Sequence, residues 1–264
     1  MSDEKYIISF EGECDRLERQ SLMFGHERGF QMVSPQPGTR LLDAGCGSGW
    51  LSRLVARRMP DCEVVGVDIN PDYVAFATAR AEEEGLTNLS YRVGAVGKLP
   101  FEDGSFDTVW SLMLLMFLPD RCGAIADLAR LLRPGGRLVT GQQGTPRHAD
   151  APRDPELEAQ VETFFGIAFP GWHPQDIPLH MLQAGLSDID VRIETDPVWT
   201  FLGAATEAQL RNHRETTTPG AMRMADALGG EAAARDFVER IVAFAADPGT
   251  VTVTGFWTVS GRKV

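Results

Sequence analysis

Leu41-Leu42-Asp43-Ala44-Gly45-Cys46-Gly47-Ser48-Gly49 joins a short apolar run to three alternate glycines. Residues 40–44 have the length and composition of a buried strand, and residues 50–59 beyond the glycines read as a helix. Alternate glycines at such a junction let the backbone turn tightly and approach a ligand with no Cβ in the way. Amides opening the helix point into the same space. In doubly wound sheets ligands sit outside the carboxyl ends of the strands, so a nucleotide-like ligand is the first expectation.

The alternation continues outward. Residues 63–67 read as a second strand, followed by a helix opening at Asn70-Pro71 and closing near Gly85, with Asn70 as N-cap and Pro71 as first helical residue. Residues 89–93 and 106–111 are the third and fourth strands. Residues 121–132 form a helix with Ile125, Leu128, Ala129 and Leu132 at helical spacing. Pro134-Gly135-Gly136 then turns the chain into a fifth strand, 137–141. Strand and helix in alternation imply a mostly parallel sheet covered on both faces, and handedness favours double winding. Upstream, residues 14–29 read as one helix stopped by Pro35, Pro37 and Gly38.

Past Gly141 the texture changes. Residues 145–155 read as a surface loop, with helical patches at 156–165 and 174–184. Residues 188–194 alternate Ile189, Val191 and Ile193 inward as a sixth strand. Residues 206–246 are helical in composition, broken at 216–220 and at Gly229-Gly230, and 250–259 close the chain as the seventh strand. The expected organisation is one α/β domain, 1–264: an N-terminal cap helix (1–38), a ligand-binding core (39–142), substrate loops and helices (143–187), a helical lid insertion (203–248) and the last strand (249–264).

The ligand is narrowed by what the turn lacks. A dinucleotide fingerprint needs glycine where this chain has Trp50, and a phosphate loop needs Gly-Lys followed by Ser or Thr, which is absent. Asp43 stands two residues before the first glycine, where a carboxylate repels pyrophosphate but can support loop amides or accept from an ammonium. Asp68 ends the second strand, placed to accept from paired ribose hydroxyls. Two acids around a glycine turn suit a cationic nucleoside without phosphates.

In the strings LLDAGCGSGWLS, VVGVDINP, LPFEDGSFDTVWS and LARLLRPGGRLV, in order over residues 39–141, the sequence resembles the class I S-adenosylmethionine-dependent methyltransferases. It is closest to the small-molecule branch acting on quinones and other secondary metabolites. The resemblance implies a Rossmann-like fold and S-adenosylmethionine as cofactor. It implies that Gly45, Cys46, Gly47 and Gly49 wrap the methionine part with Asp43 nearby, that Asp68 holds the ribose and that Ile69 packs on adenine. Ser111, at the end of the fourth strand, joins the cofactor set, as do Tyr6 and Gln20 if the N-terminal helix folds over it. Relatives often carry Gly-Asp-Ala before Leu-Pro-Phe; here Gly94-Ala95-Val96 replaces the acid, leaving adenine to backbone groups around Ala95 and Val96. Relatives also often carry histidine before Leu-Pro-Asp, where this chain has Met116-Phe117.

Methyl transfer from a sulfonium asks mainly for in-line positioning, and a base matters only where the acceptor loses a proton. His148 and His173, beyond the fifth strand, are the candidate bases; His26, His180 and His213 read as packed or solvated residues. Gln142, Trp172 and Met116 are the candidate acceptor contacts, with Gln143 beside them. The expected reaction methylates an oxygen or nitrogen, less readily a carbon, of a small apolar or aromatic metabolite. The alternative is a relative that keeps the cofactor but cyclises, eliminates or only binds. A nicotinamide oxidoreductase fits badly with Trp50 and Asp43.

Charge and cysteine content bound the partners. Lys plus Arg number 25 against 37 Asp plus Glu, a formal charge of −12, which repels nucleic acid and anionic lipid. Cys14, Cys46, Cys62 and Cys122 show no zinc-ligand spacing, so no metal is expected. The acidic start and the longest apolar run, only 112–118, suggest neither signal peptide nor membrane span. A cytoplasmic enzyme with a small-molecule substrate, possibly a homodimer, is the expectation.

Overall fold

The computed structural model describes residues 12–144 and 154–264. The strands are β1 (Arg40–Ala44), β2 (Glu63–Asp68), β3 (Leu89–Val93), β4 (Phe106–Leu112), β5 (Leu132–Gln143), β6 (Leu186–Thr195), β7 (Phe201–Leu202), β8 (Val251–Thr252) and β9 (Gly255–Lys263). The helices are α1 (Glu13–Phe24), α2 (His26–Val33), α3 (Trp50–Arg58), α4 (Pro71–Glu83), α5 (Arg121–Arg130), α6 (Pro155–Ala168), α7 (Ile177–Gln183), α8 (Glu207–Arg223) and α9 (Glu231–Ala246). They gather into two compact units: a sheet unit of residues 24–142, 173–193 and 256–264, and a helical unit holding the other described residues.

The sheet unit is built on a seven-stranded sheet, ordered β3-β2-β1-β4-β5-β9-β6, and β1 to β5 pair in parallel. Strands covered on both faces carry continuous apolar runs. Leu41, Leu42, Val64, Val65, Val109, Trp110, Leu138 and Val139 are accordingly buried, each worth about 1.5–3 kcal/mol for an aliphatic side chain. Register positions the site. Ala44 lies opposite Val67, Asp43 opposite Trp110 and Asp68 opposite Val93, so the glycine turn, Asp68 and Ser111 emerge along one edge. The Asn70 side chain accepts from the Asp72 amide at 2.9 Å with Pro71 behind it, as its cap sequence requires.

Several boundaries differ from the sequence reading. The upstream helix is two, α1 and α2, split at Gly25, whose φ of 94° no helix accepts. Strand β5 begins at Leu132 and passes through Pro134-Gly135-Gly136 instead of starting after it, at the cost of a register irregularity against β4. Val191 and Ile193 are not inward: they are 41% and 57% exposed, because β6 is the outermost strand.

In the helical unit α8 packs on α9, and α6 on α9. Thr206 and Gln209 form a reciprocal capping box that starts α8. The helix then runs through 216–220 and Pro219, where the sequence suggested a break; the expected break at Gly229-Gly230 is present. The supposed last strand, 250–259, is in fact divided. Val251–Thr252 pairs antiparallel with Phe201–Leu202 as a separate two-stranded sheet, and Gly255–Lys263 joins the main sheet. No helix among the described residues is long and apolar enough to cross a membrane.

The buried face of α8 is polar: Gln209, Asn212, His213, Thr216 and Thr217 all point inward. Gln209 donates to the carbonyls of Pro197 and Thr200, each at 3.2 Å. His213 meets the rings of Trp199 and Phe201 edge-on. On α1, Arg16 donates to both carboxylate oxygens of Glu13, at 2.8 and 2.6 Å, and to Asn212 Oδ1 at 3.0 Å.

Candidate functional site

The glycine turn is held from three sides. Gly45, Gly47 and Gly49 have φ of 78°, 53° and 75°, the left-handed region that glycine enters without strain. The amides of Gly45 and Cys46 donate to the Val67 carbonyl at 2.8 and 3.0 Å, tying the turn to the end of β2. Buried Arg53 on α3 donates to the Ser48 carbonyl at 2.6 Å while its Nε is paired with Glu84. Tyr91 on β3 donates its hydroxyl to the Gly49 carbonyl at 3.1 Å. Its ring fills the space a Cβ would need at both Gly49 and Gly66.

The two acids divide the work unevenly. Asp68 accepts from the amides of Gly47 and Asn70, each at 2.9 Å, one through each carboxylate oxygen. Burial raises its pKa, and the amides of Asn70 and Gly47 oppose the rise. Each oxygen keeps a further lone pair for a ligand hydroxyl. Asp43 turns inward instead, accepting from Ser52 Oγ on α3. Burial pushes its carboxyl up to about 7 against the pull of the Ser52 hydrogen bond, and the nearby charge of Asp68 adds to the rise. Asp43 therefore pins the strand to the helix behind the turn. Cys46 is also buried, its sulfur towards the Gly66 position.

Beside Asp68 lies an apolar rim. Ile69 is 69% exposed, Val93 at the end of β3 is half-exposed, and Ala95 is exposed with Val96 partly so. The segment is fixed from below: Asp127 on α5 accepts from the Gly97 and Leu99 amides at 2.7 and 3.1 Å, and Arg130 binds the carbonyls of Leu99 and Phe101. A rigid loop with apolar residues facing solvent suits the face of a planar ring.

At the ends of β4 and β5, Ser111 and Gln142 are fully buried. The Gln142 amide nitrogen donates to the Ser111 carbonyl at 3.4 Å, while Gln142 Oε1 and Ser111 Oγ have no partner among the described residues. Met116 is buried in a short turn that Arg121 braces through the Leu115 and Met116 carbonyls.

The sheet unit thus brings together the glycine turn, Asp68, Ile69, Ala95, Val96, Ser111, Gln142 and Met116. His173, exposed at the start of a short 3₁₀ turn, belongs to the same unit. Gln20 and Trp172 belong to the helical unit: Gln20 accepts from Arg16, and the Trp172 indole donates to the Gln143 carbonyl at 3.1 Å. Tyr6 and His148 lie outside the described residues. The sequence reading missed Tyr91, Arg53, Asp127 and Arg130. Arg130 stood in a recognised string; Tyr91 and Asp127 meet the turn and the rim through partners 28 or more residues away, and Arg53 joins the nearby Ser48 carbonyl to the distant Glu84.

A mostly parallel seven-stranded sheet with a glycine turn after its first strand and an acid ending its second defines a Rossmann-like fold of the methyltransferase kind. Residues 42–140 match the methyltransferase domain family, and that match, with the relatives below, supports the class I S-adenosylmethionine-dependent methyltransferase resemblance. It is 37% identical over 147 residues to nocamycin O-methyltransferase of Saccharothrix syringae, covering 54% of this chain and 52% of that one. It is 34% identical over 178 residues to 27-O-demethylrifamycin SV methyltransferase of Amycolatopsis mediterranei, covering 64% and 62%. The chain thus spans between about half and two-thirds of the length of these curated relatives. Among solved structures, the [4+2]-cyclase SpnF aligns with a TM-score of 0.58 at 22% identity, over 92% of this chain and 80% of that one. A phosphoethanolamine N-methyltransferase of Haemonchus contortus aligns with a TM-score of 0.64 at 18% identity, over 100% and 60%. These two likenesses concern the fold.

Proposed function

We propose that this chain transfers a methyl group from S-adenosylmethionine to an oxygen or nitrogen atom, less readily a carbon, of a small apolar or aromatic metabolite. The observation that carries the reading is the Asp68 carboxylate, bound to the turn amide of Gly47 and flanked by the exposed apolar side chain of Ile69. That pairing offers acceptors for ribose hydroxyls and a surface for a base. The buried carboxylates and the missing phosphate-loop lysine disfavour a polyphosphate. The similarity to nocamycin O-methyltransferase and 27-O-demethylrifamycin SV methyltransferase supports a small-molecule acceptor.

When bound, the cofactor supplies a methyl group already activated on a sulfonium. The protein's task is alignment, which can contribute up to roughly 7–11 kcal/mol. Gly45, Gly47 and Gly49, without Cβ atoms and with their amides held by Val67, Asp68 and Cys46, would let the methionine part lie close against the turn; Asp68 would fix the ribose, and Ile69 with the Ala95-Val96 backbone would take the adenine. Gln142 Oε1, with no partner among the described residues, offers a hydrogen-bond acceptor for an O–H or N–H of the substrate, while Ser111 Oγ belongs to the proposed cofactor set. Met116 supplies apolar surface. An O–H acceptor must lose its proton, and His148 and His173 are the proposed recipients.

A second reading, cofactor-dependent cyclisation or simple binding, is favoured by Ala95 and Met116 where the family that the sequence resembles often carries an acid and a histidine. Incubation with isotopically labelled S-adenosylmethionine and a panel of phenols, alcohols and amines separates the two. Methyltransfer yields S-adenosylhomocysteine and one labelled methyl on the acceptor. Binding of both cofactor forms with no transfer to any acceptor supports the second reading, and a titration that ignores both forms overturns each.

A further inference from the structure

Among the described residues, strand β6 is the last of the seven and bonds to β9 alone. Ile189 lies over Gly261 of β9, where an added Cβ would meet its Cδ1 at 2.7 Å. From there the same row runs out into solvent as Val191 and Ile193. The opposite face of the strand carries Asp190 and Arg192, joined by a hydrogen bond of 2.9 Å and both well exposed. An edge strand with open β-branched residues is a template for another strand, and its side chains say which one.

We propose that β6 is a self-complementary edge through which two copies of this chain pair antiparallel about a twofold axis at Val191. In that register Val191 faces the partner's Val191, and Ile189 faces the partner's Ile193, so the whole apolar row matches. On the other face Asp190 faces the partner's Arg192, and the pair occurs twice by symmetry, as an isologous contact requires. Neighbouring registers fail. An axis at Asp190 or at Arg192 sets like charges against each other, and an axis between residues sets apolar side chains opposite charged ones. One like-charge pair survives, Asp188 with the partner's Glu194, at the ends of the ladder. Asp188 has a φ of 50°, which takes it out of the extended ladder. With a formal charge of −12 on each copy, long-range repulsion opposes the contact, so added salt tightens it.

Light scattering on the full chain tests the proposal, independently of any methyltransferase activity. A concentration-dependent dimer is expected, stronger at higher ionic strength. Val191→Lys should raise its dissociation constant by at least about tenfold, since two cations then meet at the axis, with melting temperature unchanged. Asp190→Arg should weaken the dimer, and adding Arg192→Asp should restore it. Val191→Cys, in a Cys122→Ser background because Cys122 is an exposed thiol, should give a disulfide-linked dimer on mild oxidation. A chain that stays monomeric, or a dimer indifferent to Val191→Lys and not trapped by Val191→Cys, overturns the proposal.

Discussion

The two units bury opposite kinds of side chain. In the sheet unit the interior is aliphatic and aromatic, from Leu41 and Leu42 through Val64 and Val65 to Trp110 and Val139, and polar groups are concentrated at the carboxyl edge. In the helical unit a charged pair, Glu13 with Arg16, and a polar helix face, Gln209 to Thr217, lie inside. The first interior is general: any residues of matching shape would fill it, at modest cost. The second is specific: each group depends on a named partner, and losing one strands the other. Stability in one unit should follow volume, and in the other should follow pairing.

The largest effect expected of this contrast is at Arg16. Replacing it with Met leaves the Glu13 carboxylate buried without its counter-ion, a loss of about 3–5 kcal/mol. Adding Glu13→Gln should recover most of that loss. Urea denaturation of the single and double variants measures it, and strict additivity would show that no special pairing exists.

Asp43 is the exception that sharpens the comparison, an ionisable group inside the apolar unit. Its folded pKa is near 7, while the unfolded value is about 3.9. Between these the native state keeps a proton the unfolded chain has lost, so stability falls as pH rises from about 4 to about 7, by as much as about 1.4 kcal/mol per pH unit. Asp68, also raised, adds in the same direction. Asp43→Asn should flatten much of that slope, and parallel curves of stability against pH for the two proteins would contradict the assignment.

At the edge of the sheet, Asp68→Ala should raise the dissociation constant for S-adenosylmethionine by at least about tenfold, a charged hydrogen bond being worth roughly 1.5–3 kcal/mol. Calorimetry reads this directly, and unchanged affinity counts against the ribose role. The smallest effect on stability is expected at Gln142. Its Oε1 has no partner among the described residues, so Gln142→Met should be neutral or stabilising by about 1 kcal/mol while turnover drops. Turnover equal to wild type would remove Gln142 from the acceptor site.

How much the sequence tells follows the same division. Residues 40–111 were legible almost to the residue, because buried parallel strands write continuous apolar runs and glycine with proline punctuates them. The proposed ligand-binding residues there, the glycines, Asp68 and Ile69, sit at strand ends and move with those boundaries. The helical unit was harder. Nothing in the spacing of Gln209, Asn212, His213 and Thr216 announces burial, since polar residues at helical spacing usually mark a solvated face, and their partners come from distant segments. The break foreseen at 216–220 failed because tertiary packing outweighs the low helix propensity of three threonines and Pro219. The inward reading of Val191 and Ile193 failed because alternation shows which residues share a face, not whether anything covers it.

The Tyr91 ring couples two glycines. One aromatic ring occupies the volume beside both Gly49 and Gly66, so those two positions are not free to drift separately. An alanine at Gly66, where the backbone is unstrained, should be rescued by shrinking the ring to a smaller side chain, whereas at Gly49 the φ of 75° and the Ala77 methyl keep an alanine strained. Relatives that lack an aromatic residue at the position of Tyr91 should accordingly tolerate larger residues in the middle of the second strand, a covariation that links the shape of the turn to a strand two places away in the chain.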